Sequence, residues 1–356
     1  MSDPVIFETQ AQERLAEPVW AWLAGGAADE ISLRGNRSAW ERIALAPHVL
    51  RPLRGAHTRR MLLGRELAHP LLLAPAAYQR LLHPLGEAGS ALAAATQGAG
   101  VVLSAMSSVA LEEVARHVLA EPGRGPLWFQ LYLSGDRGFD LALVERARAA
   151  GFEALVLTVD APVQGPRDRE RRAGFRVPPG ITAVHYAGLP AAAPADPGAL
   201  CGGLVEHAPT WDDVAWLRDA AGLPLLLKGV LRADDARQAA ALGVAGLIVS
   251  NHGGRTLDTV TPTAAALPRI ADALGGALPL LVDGGIRRGT DVLKAVALGA
   301  RAVLVGRAAL FALAAAGPEG VAHALRRLRD ELEIALALTG CAKLDEVTRT
   351  LLDAPR

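Results

Sequence analysis

Cysteine is almost missing from this chain of 356 residues. The two present, Cys201 and Cys341, cannot build a disulfide framework and fit a reducing compartment as ordinary small residues. Charge of one sign is missing too. The 37 basic and 37 acidic side chains cancel, which removes the electrostatic footprint of a nucleic-acid binder or of a protein drawn to acidic membrane surfaces. The one dense basic stretch, Arg167-Asp168-Arg169-Glu170-Arg171-Arg172, carries acids within it. No targeting segment is visible, since Met1 to Glu13 is polar and acidic. The apolar runs, such as Leu278 to Val282, are far too short to cross a bilayer. No nucleic-acid or membrane partner and a cytoplasmic location are therefore expected. A Gly-x-Gly-x-x-Gly turn after the first strand is also lacking, which counts against the alternative of a doubly wound sheet.

What is present is a 51% apolar composition, enough for one large core. Short β-type runs alternate with alanine- and leucine-rich helical stretches, the mark of a parallel α/β fold. Eight runs are predicted strands: Pro70–Ala74, Val101–Ser104, Leu127–Tyr132, Ala154–Val159, Pro224–Lys228, Gly246–Ser250, Pro279–Asp283 and Ala302–Gly306. Helices are predicted between them, over Gly86–Gln97, Leu111–Leu119, Asp140–Ala150, Asp212–Ala220, Ala233–Leu242, Thr263–Leu274 and Thr290–Leu298. Eight such units predict a TIM (β/α)8 barrel. It forms a single domain over 1–356, with a helical preface in residues 1–45 and the barrel in 46–356. Within the preface a helix is expected from about Glu8 to Leu23, and another near Leu33–Arg42. The overlong connection after the fourth strand, with low-complexity Leu189–Gly198 in its middle, is read as a mobile lid over 165–210, with a plain surface insertion as the alternative.

Chemistry in such a barrel sits at the C-terminal strand ends, and polar residues converge there. The predicted strands end in turn at Ala74-Pro75-Ala76-Ala77-Tyr78, at Ser104-Ala105-Met106, at Gln130 and Tyr132, and at Thr158 and Asp160 with Arg167 soon after. They continue with Lys228, with Ser250-Asn251-His252 and Arg255, with Asp283-Gly284-Gly285 and Arg287, and with Gly306-Arg307. Any single one can be a satisfied structural hydrogen bond; convergence from nearly every strand points to a site. The most informative stretch is Ser250–Asp258. His252 and Arg255 place a proton acceptor and an anion clamp three residues apart on a glycine-softened turn, which suits an enzyme that takes hydrogen from a small carboxylic acid. The glycine-rich turns Asp283–Thr290 and Val305-Gly306-Arg307 open into helices and suit a phosphate, which Arg287 or Arg307 could neutralise; tight-turn chemistry alone is the plainer reading. A phosphate without an adenine fingerprint fits flavin mononucleotide (FMN) or a phosphorylated substrate.

On these residues the chain resembles the FMN-dependent α-hydroxy acid oxidases and dehydrogenases, the group of glycolate oxidase, lactate oxidase and mandelate dehydrogenase. The resemblance runs from Leu23-Ala24-Gly25-Gly26-Ala27 to Leu338-Thr339-Gly340-Cys341. It rests on Ser250–Asp258, Leu227-Lys228-Gly229, Leu157-Thr158-Val159-Asp160, Phe129-Gln130-Leu131-Tyr132 and Asp283–Thr290. Within the group, Ala74-Pro75-Ala76-Ala77-Tyr78-Gln79-Arg80 is most similar to bacterial p-hydroxymandelate oxidases. The resemblance implies FMN, a small 2-hydroxy acid of S configuration, and a homotetramer. His252 would take the proton, with departure of the C2 hydrogen as hydride or as proton left open. Asp160 would stabilise the His252 imidazolium, Arg255 and Arg167 would clamp the substrate carboxylate, and Tyr132 would bond the substrate or the developing keto oxygen. Lys228 would stabilise negative charge at the flavin N1–C2=O edge. Pro75, Ala76, Ala77, Ser104, Gln130, Thr158 and Ser250 would contact the ring or ribityl chain, and Asp283, Gly284, Gly285, Arg287, Gly306 and Arg307 the ribityl chain and phosphate.

The departures set expectations about substrate. Trp22 stands where the family often has a substrate-contacting tyrosine, Met106 where glycolate oxidases carry tryptophan, and Tyr78 adds an aromatic near the first strand. A pocket lined by these residues favours an aryl or bulky 2-hydroxy acid, such as mandelate, over glycolate; plain packing of Trp22 and Met106 is the alternative. Ala77 is the residue type of the oxidases, favouring molecular oxygen as acceptor and hydrogen peroxide as product. A dehydrogenase using a quinone or protein acceptor, or a lactate- or glycolate-type substrate, is the alternative. A flavin barrel without net redox, such as a type 2 isopentenyl diphosphate isomerase, does not call for the clamp of Arg255 and Arg167. A silent flavin-binding protein finds no support, because every expected chemical group is present.

Overall fold

A strand covered on both faces needs apolar side chains on both, and the short Leu-, Val- and Ala-rich runs of this chain are of that kind. The computed structural model describes residues 4–187, 189, 205 and 208–353. All eight runs are strands: β1 Leu71–Leu73, β2 Gly100–Ser104, β3 Leu127–Leu131, β4 Ala154–Thr158, β5 Leu225–Val230, β6 Gly246–Val249, β7 Leu280–Val282 and β8 Ala300–Val305. Each pairs in parallel with its neighbours in sequence, and β8 closes the ring on β1 through Val303–Leu71, Leu304–Leu72 and Val305–Leu73. The fold is a TIM barrel.

Side chains alternate along a strand, and the barrel divides its interior by that rule. Leu72, Val102, Trp128, Ala154, Val156, Leu226, Ile248, Leu281, Ala302 and Leu304 form an apolar plug inside the ring. A hairpin of Arg60–Leu62 and Arg65–Leu67 adds Leu62 and Leu67 to it. Two residues further along the strands, the same alternation brings Ala74, Ser104, Gln130, Thr158, Lys228, Ser250, Asp283 and Gly306 to the rim. The outward faces meet the helices in one continuous core.

The predicted helices form within a few residues of their expected bounds, Leu111–Leu119 and Thr263–Leu274 without change. The preface differs. Its long helix is two, α1 Pro4–Arg14 and α2 Glu17–Ala24, with Ala16 extended between them (φ −58°, ψ 143°). Pro18 has no N–H to donate, and its ring would crowd the carbonyl of Arg14 in an unbroken helix, so the chain stops and restarts. The next helix, α3, spans Ile31–Glu41. After β8 comes a helical segment that was not anticipated, Arg307–Leu338, interrupted at Ala316 and Gly317. By length and hydropathy it could cross a membrane, but the interruption divides it, and Phe311, Leu313, Val321, Leu325, Leu328 and Leu332 are buried in the core.

The described first part of the expected lid, residues 165–187, is anchored. A short helix, Asp168–Arg172, is tied to the preface by Arg169 and Glu30 (2.5 Å). Further along, His185 is buried, accepting from the Leu111 N–H (2.9 Å) and bonding the Ala105 carbonyl (3.1 Å). The Tyr186 hydroxyl donates to the Tyr132 carbonyl (3.2 Å). Apart from Leu189, the low-complexity stretch Leu189–Gly198 lies outside the described residues.

Candidate active site

The polar rim encloses a cavity of about 1200 Å³, above the roughly 300–1,000 Å³ of a typical single-ligand site and so roomy enough for a cofactor with a substrate beside it. Of the residues singled out from sequence, Trp22, Pro75, Ala76, Ala77, Tyr78, Ser104, Met106, Gln130, Tyr132, Thr158, Arg167, Lys228, His252, Arg255, Asp283, Gly284, Gly285, Arg287, Gly306 and Arg307 all line it.

His252 owes its position to the end of β6. The Ser250 hydroxyl accepts from the His252 N–H (3.0 Å), and His252 adopts a left-handed backbone (φ 57°) that turns the chain sharply at the rim. Gly254 follows at φ 73°, and a Cβ there would come within 2.6 Å of the Leu33 backbone nitrogen. The catalytic loop therefore lies flush on α3 only because this position is glycine. Asp258 secures the contact by accepting from Ile31 (3.1 Å) and Ser32 (2.7 Å) N–H groups, and the Asn36 and Asn251 amides bond reciprocally (2.7 and 2.8 Å). The preface is thus part of the site.

His252 Nδ1 lies 2.9 Å from Asp160 Oδ1. Burial alone would raise the Asp160 pKa, but the hydrogen bond from His252 and the charge of Lys228 act against burial, and Asp160 is held below the usual carboxylate range. An ionised carboxylate only accepts, so the His252 proton sits on Nδ1 and Nε2 is left as the acceptor. Burial, and then the charge of Lys228, push the imidazole below its ordinary pKa against the pull of Asp160. A neutral ring at physiological pH is the result.

Lys228 donates to Ser250 Oγ (2.9 Å) and lies 3.2 Å from Asp283 Oδ2. Burial acts to lower its pKa, but Asp283, Asp160 and Tyr132 raise it overall, so it stays cationic. Ser250, expected along the cofactor, does not line the cavity. It is fully buried behind the wall, its hydroxyl wedged between Lys228 Nζ and the His252 N–H. Arg307, expected at a phosphate, lines the cavity, but its guanidinium donates to the carbonyls of Leu23 (3.1 Å), Gly253 (2.9 Å) and Gly25 (2.6 Å); it ties the preface to the catalytic loop. Arg287 lies over the Phe311 ring (4.9 Å) and 3.6 Å from Glu8 Oε2. At Gly285 (φ 86°) a Cβ would come within 2.6 Å of the Asn36 carbonyl, so the turn after β7 serves helix packing as well as any anion.

Arg255 donates to the Trp22 (2.7 Å) and Gly25 (2.9 Å) carbonyls and to Glu170 Oε1 (3.0 Å). Burial, and then the neighbouring Arg167, lower its pKa to about 10. Trp22 stacks on Phe175 (5.8 Å, 20°). Glu170, Phe175, Glu8 and Asn36 all line the cavity and were not singled out from sequence. Glu170 was hidden in an arginine-rich run, and the other three lie away from any strand end.

The chain matches the model of the FMN-dependent dehydrogenase family over residues 11–354. It is 47% identical over 352 residues to an L-lactate oxidase of Roseobacter sp. (strain GAI101), covering 97% of this chain and 93% of that one. It is 43% identical over 348 residues to glycolate oxidase 1 of Zea mays, at 96% and 93% coverage. A crystal structure of mandelate oxidase with (S)-2-phenylpropionate superposes with a TM-score of 0.89 at 42% identity, covering 99% and 98% of the two chains. The chain belongs to the FMN-dependent dehydrogenase family. It is an FMN enzyme of the 2-hydroxy acid oxidase type. The cavity fits that cofactor on its own chemistry: Gln130 Nε2 and Asp283 Oδ1 are buried polar atoms on residues of its wall, and neither has a hydrogen-bond partner within the protein. An amide donor and a carboxylate acceptor are what a flavin ring edge and a ribityl hydroxyl require.

Proposed function

We propose that the protein oxidises an aryl or otherwise bulky (S)-2-hydroxy acid to the 2-keto acid and passes the electrons to molecular oxygen, giving hydrogen peroxide. The observation that carries this reading is the His252–Asp160 pair (2.9 Å), whose free Nε2 belongs to the same cavity wall as two arginines. Arg255 and Arg167 hold the substrate carboxylate. His252 Nε2 receives the substrate proton, and Asp160 stabilises the imidazolium so formed. Burial raises the Tyr132 pKa, so its phenol keeps the proton with which it bonds the substrate oxygen. FMN, when bound, supplies the two-electron acceptor. Gln130, Ser104, Thr158 and the Pro75–Ala77 backbone would hold its ring, Asp283 its ribityl chain, and the turns at Gly284-Gly285, Arg287 and Gly306-Arg307 its phosphate. Lys228, held cationic, would neutralise the charge that reduction brings.

Bulk in the substrate is supported by the apolar wall of Trp22, Tyr78, Met106 and Phe175. A lactate-sized substrate is the second reading, favoured by the higher identity to an L-lactate oxidase (47%) than to mandelate oxidase (42%). Self-association is supported by the exposed apolar residues Val49, Leu50, Ile334 and Leu338. The deciding experiment mixes the purified holoenzyme anaerobically with S-mandelate, p-hydroxymandelate, lactate and glycolate, follows the flavin absorbance, and then admits air. Faster bleaching by the aryl acids, with recolouring and peroxide in air, is expected. Faster bleaching by lactate selects the second reading, and slow recolouring in air selects another electron acceptor.

A further inference from the structure

The clamp contains a carboxylate, which is unexpected in a site for a carboxylate substrate. Glu170 is buried, its side chain 10% exposed, and its Oε1 lies 3.0 Å from Arg255 Nη2 and 3.5 Å from Arg167 Nη1. One oxygen therefore serves both guanidinium groups. Two buried cations so close disfavour each other, and the depressed pKa of Arg255, caused by burial and then by Arg167, records the conflict. Neither arginine has another carboxylate among its described partners. Arg255 is otherwise held by the Trp22 and Gly25 carbonyls, and Arg167 Nε is buried without a partner.

Resting on the assignment of Arg255 and Arg167 as the substrate clamp, we propose that Glu170 is a positioning residue that also sets the charge of the anion the site accepts. Two guanidinium groups and one carboxylate leave the clamp with one net positive charge. A monoanionic 2-hydroxy acid neutralises it; a dianion overshoots and meets Glu170 as a like charge in a poorly solvated site. Glu170 also keeps the two forks in place while no substrate is bound, so that they need not reorganise when it arrives. The substrate class is thereby narrowed to monocarboxylates.

The test uses the holoenzyme with Glu170→Gln, Glu170→Asp and Arg255→Leu. Titration of the flavin absorbance gives Kd for oxalate, a dianion, and for benzoylformate, a monoanion, and steady-state assays give kcat and KM for S-mandelate. In Glu170→Gln the affinity ratio of oxalate to benzoylformate rises by about tenfold or more, and kcat falls because the forks lose their common anchor. Glu170→Asp keeps the charge, so its ratio stays near the parent value. An unchanged ratio in Glu170→Gln, with Arg255→Leu weakening both ligands, overturns the role of Glu170 while leaving the clamp standing. If Arg255→Leu leaves both affinities unchanged, the clamp assignment itself fails. An unaltered flavin spectrum and melting temperature in the Glu170 variants separates either result from misfolding.

Discussion

The lower and upper halves of the barrel interior use the same strands and the same alternation, yet contain opposite chemistry. Val156 and Thr158, Leu226 and Lys228, Ile248 and Ser250, and Leu281 and Asp283 are each two residues apart. The first of each pair belongs to the apolar plug; the second belongs to the polar rim or its support. The plug needs only volume and fit, whereas the rim needs groups whose protonation and hydrogen bonds are set by neighbours on other strands. Two residues of strand separate stability from function, so substitutions in the two layers should have separable effects.

The largest effect is expected at the rim. His252→Ala removes the proton acceptor and should lower kcat/KM for S-mandelate by roughly 10²–10⁴-fold, with a melting temperature close to that of the parent; a variant retaining full turnover with flavin bound would refute the mechanism. The matching change in the plug is Trp128→Ala. Trp128 is 2% exposed, and its truncation should cost about 3–5 kcal/mol of stability, read by denaturant unfolding. The folded fraction should turn over at the parent rate. Loss of turnover in proportion to stability in both variants would show that the layers are coupled.

The separation of layers also explains what could be read from sequence. The eight strands were legible because each is a short apolar run bounded by turn residues, and the rim was legible because every strand end but the first, at Ala74-Pro75, carries a polar or glycine residue. His252, Arg255 and Lys228 follow directly from that rule. Glu170 does not, because its role depends on how a connection of 62 residues, from Ala161 to Gly222, packs against the catalytic loop. The same holds for Phe175, which meets Trp22 from the opposite end of the chain's first half, and for the Asn36–Asn251 amide pair, 215 residues apart. Ser250 lies on the layer that alternation assigns it, but alternation tells which way a side chain faces and not that Lys228 and the His252 N–H both bond its hydroxyl. Arg307 shows the same limit: its place after a glycine turn suits an anion, but the three backbone carbonyls it also ties together were not legible.

A smaller effect is expected where the rim meets the preface. Trp22→Tyr narrows the aromatic wall and adds a hydroxyl to it, so the preference for mandelate over lactate, measured as the ratio of kcat/KM values, should fall by about tenfold. An unchanged ratio would mean that Trp22 only packs on Phe175.

The smallest change, and the one that tests the electrostatics of the rim most directly, is in pH dependence. His252 acts as a base only when neutral, so kcat/KM should be lost as pH falls through its folded-state pKa. Burial and then Lys228 depress that value, which places the acid limb below the ordinary histidine value of about 6.5. The same sign applies to stability: the unfolded chain binds a proton that the folded ring resists, so acidification through that range favours unfolding. Asp160→Asn removes the carboxylate that opposes the depression, so the acid limb should move to still lower pH even as the rate falls. A limb at or above 6.5 in the parent, or an upward move in Asp160→Asn, would show that the group titrating in the profile is not His252 in this environment.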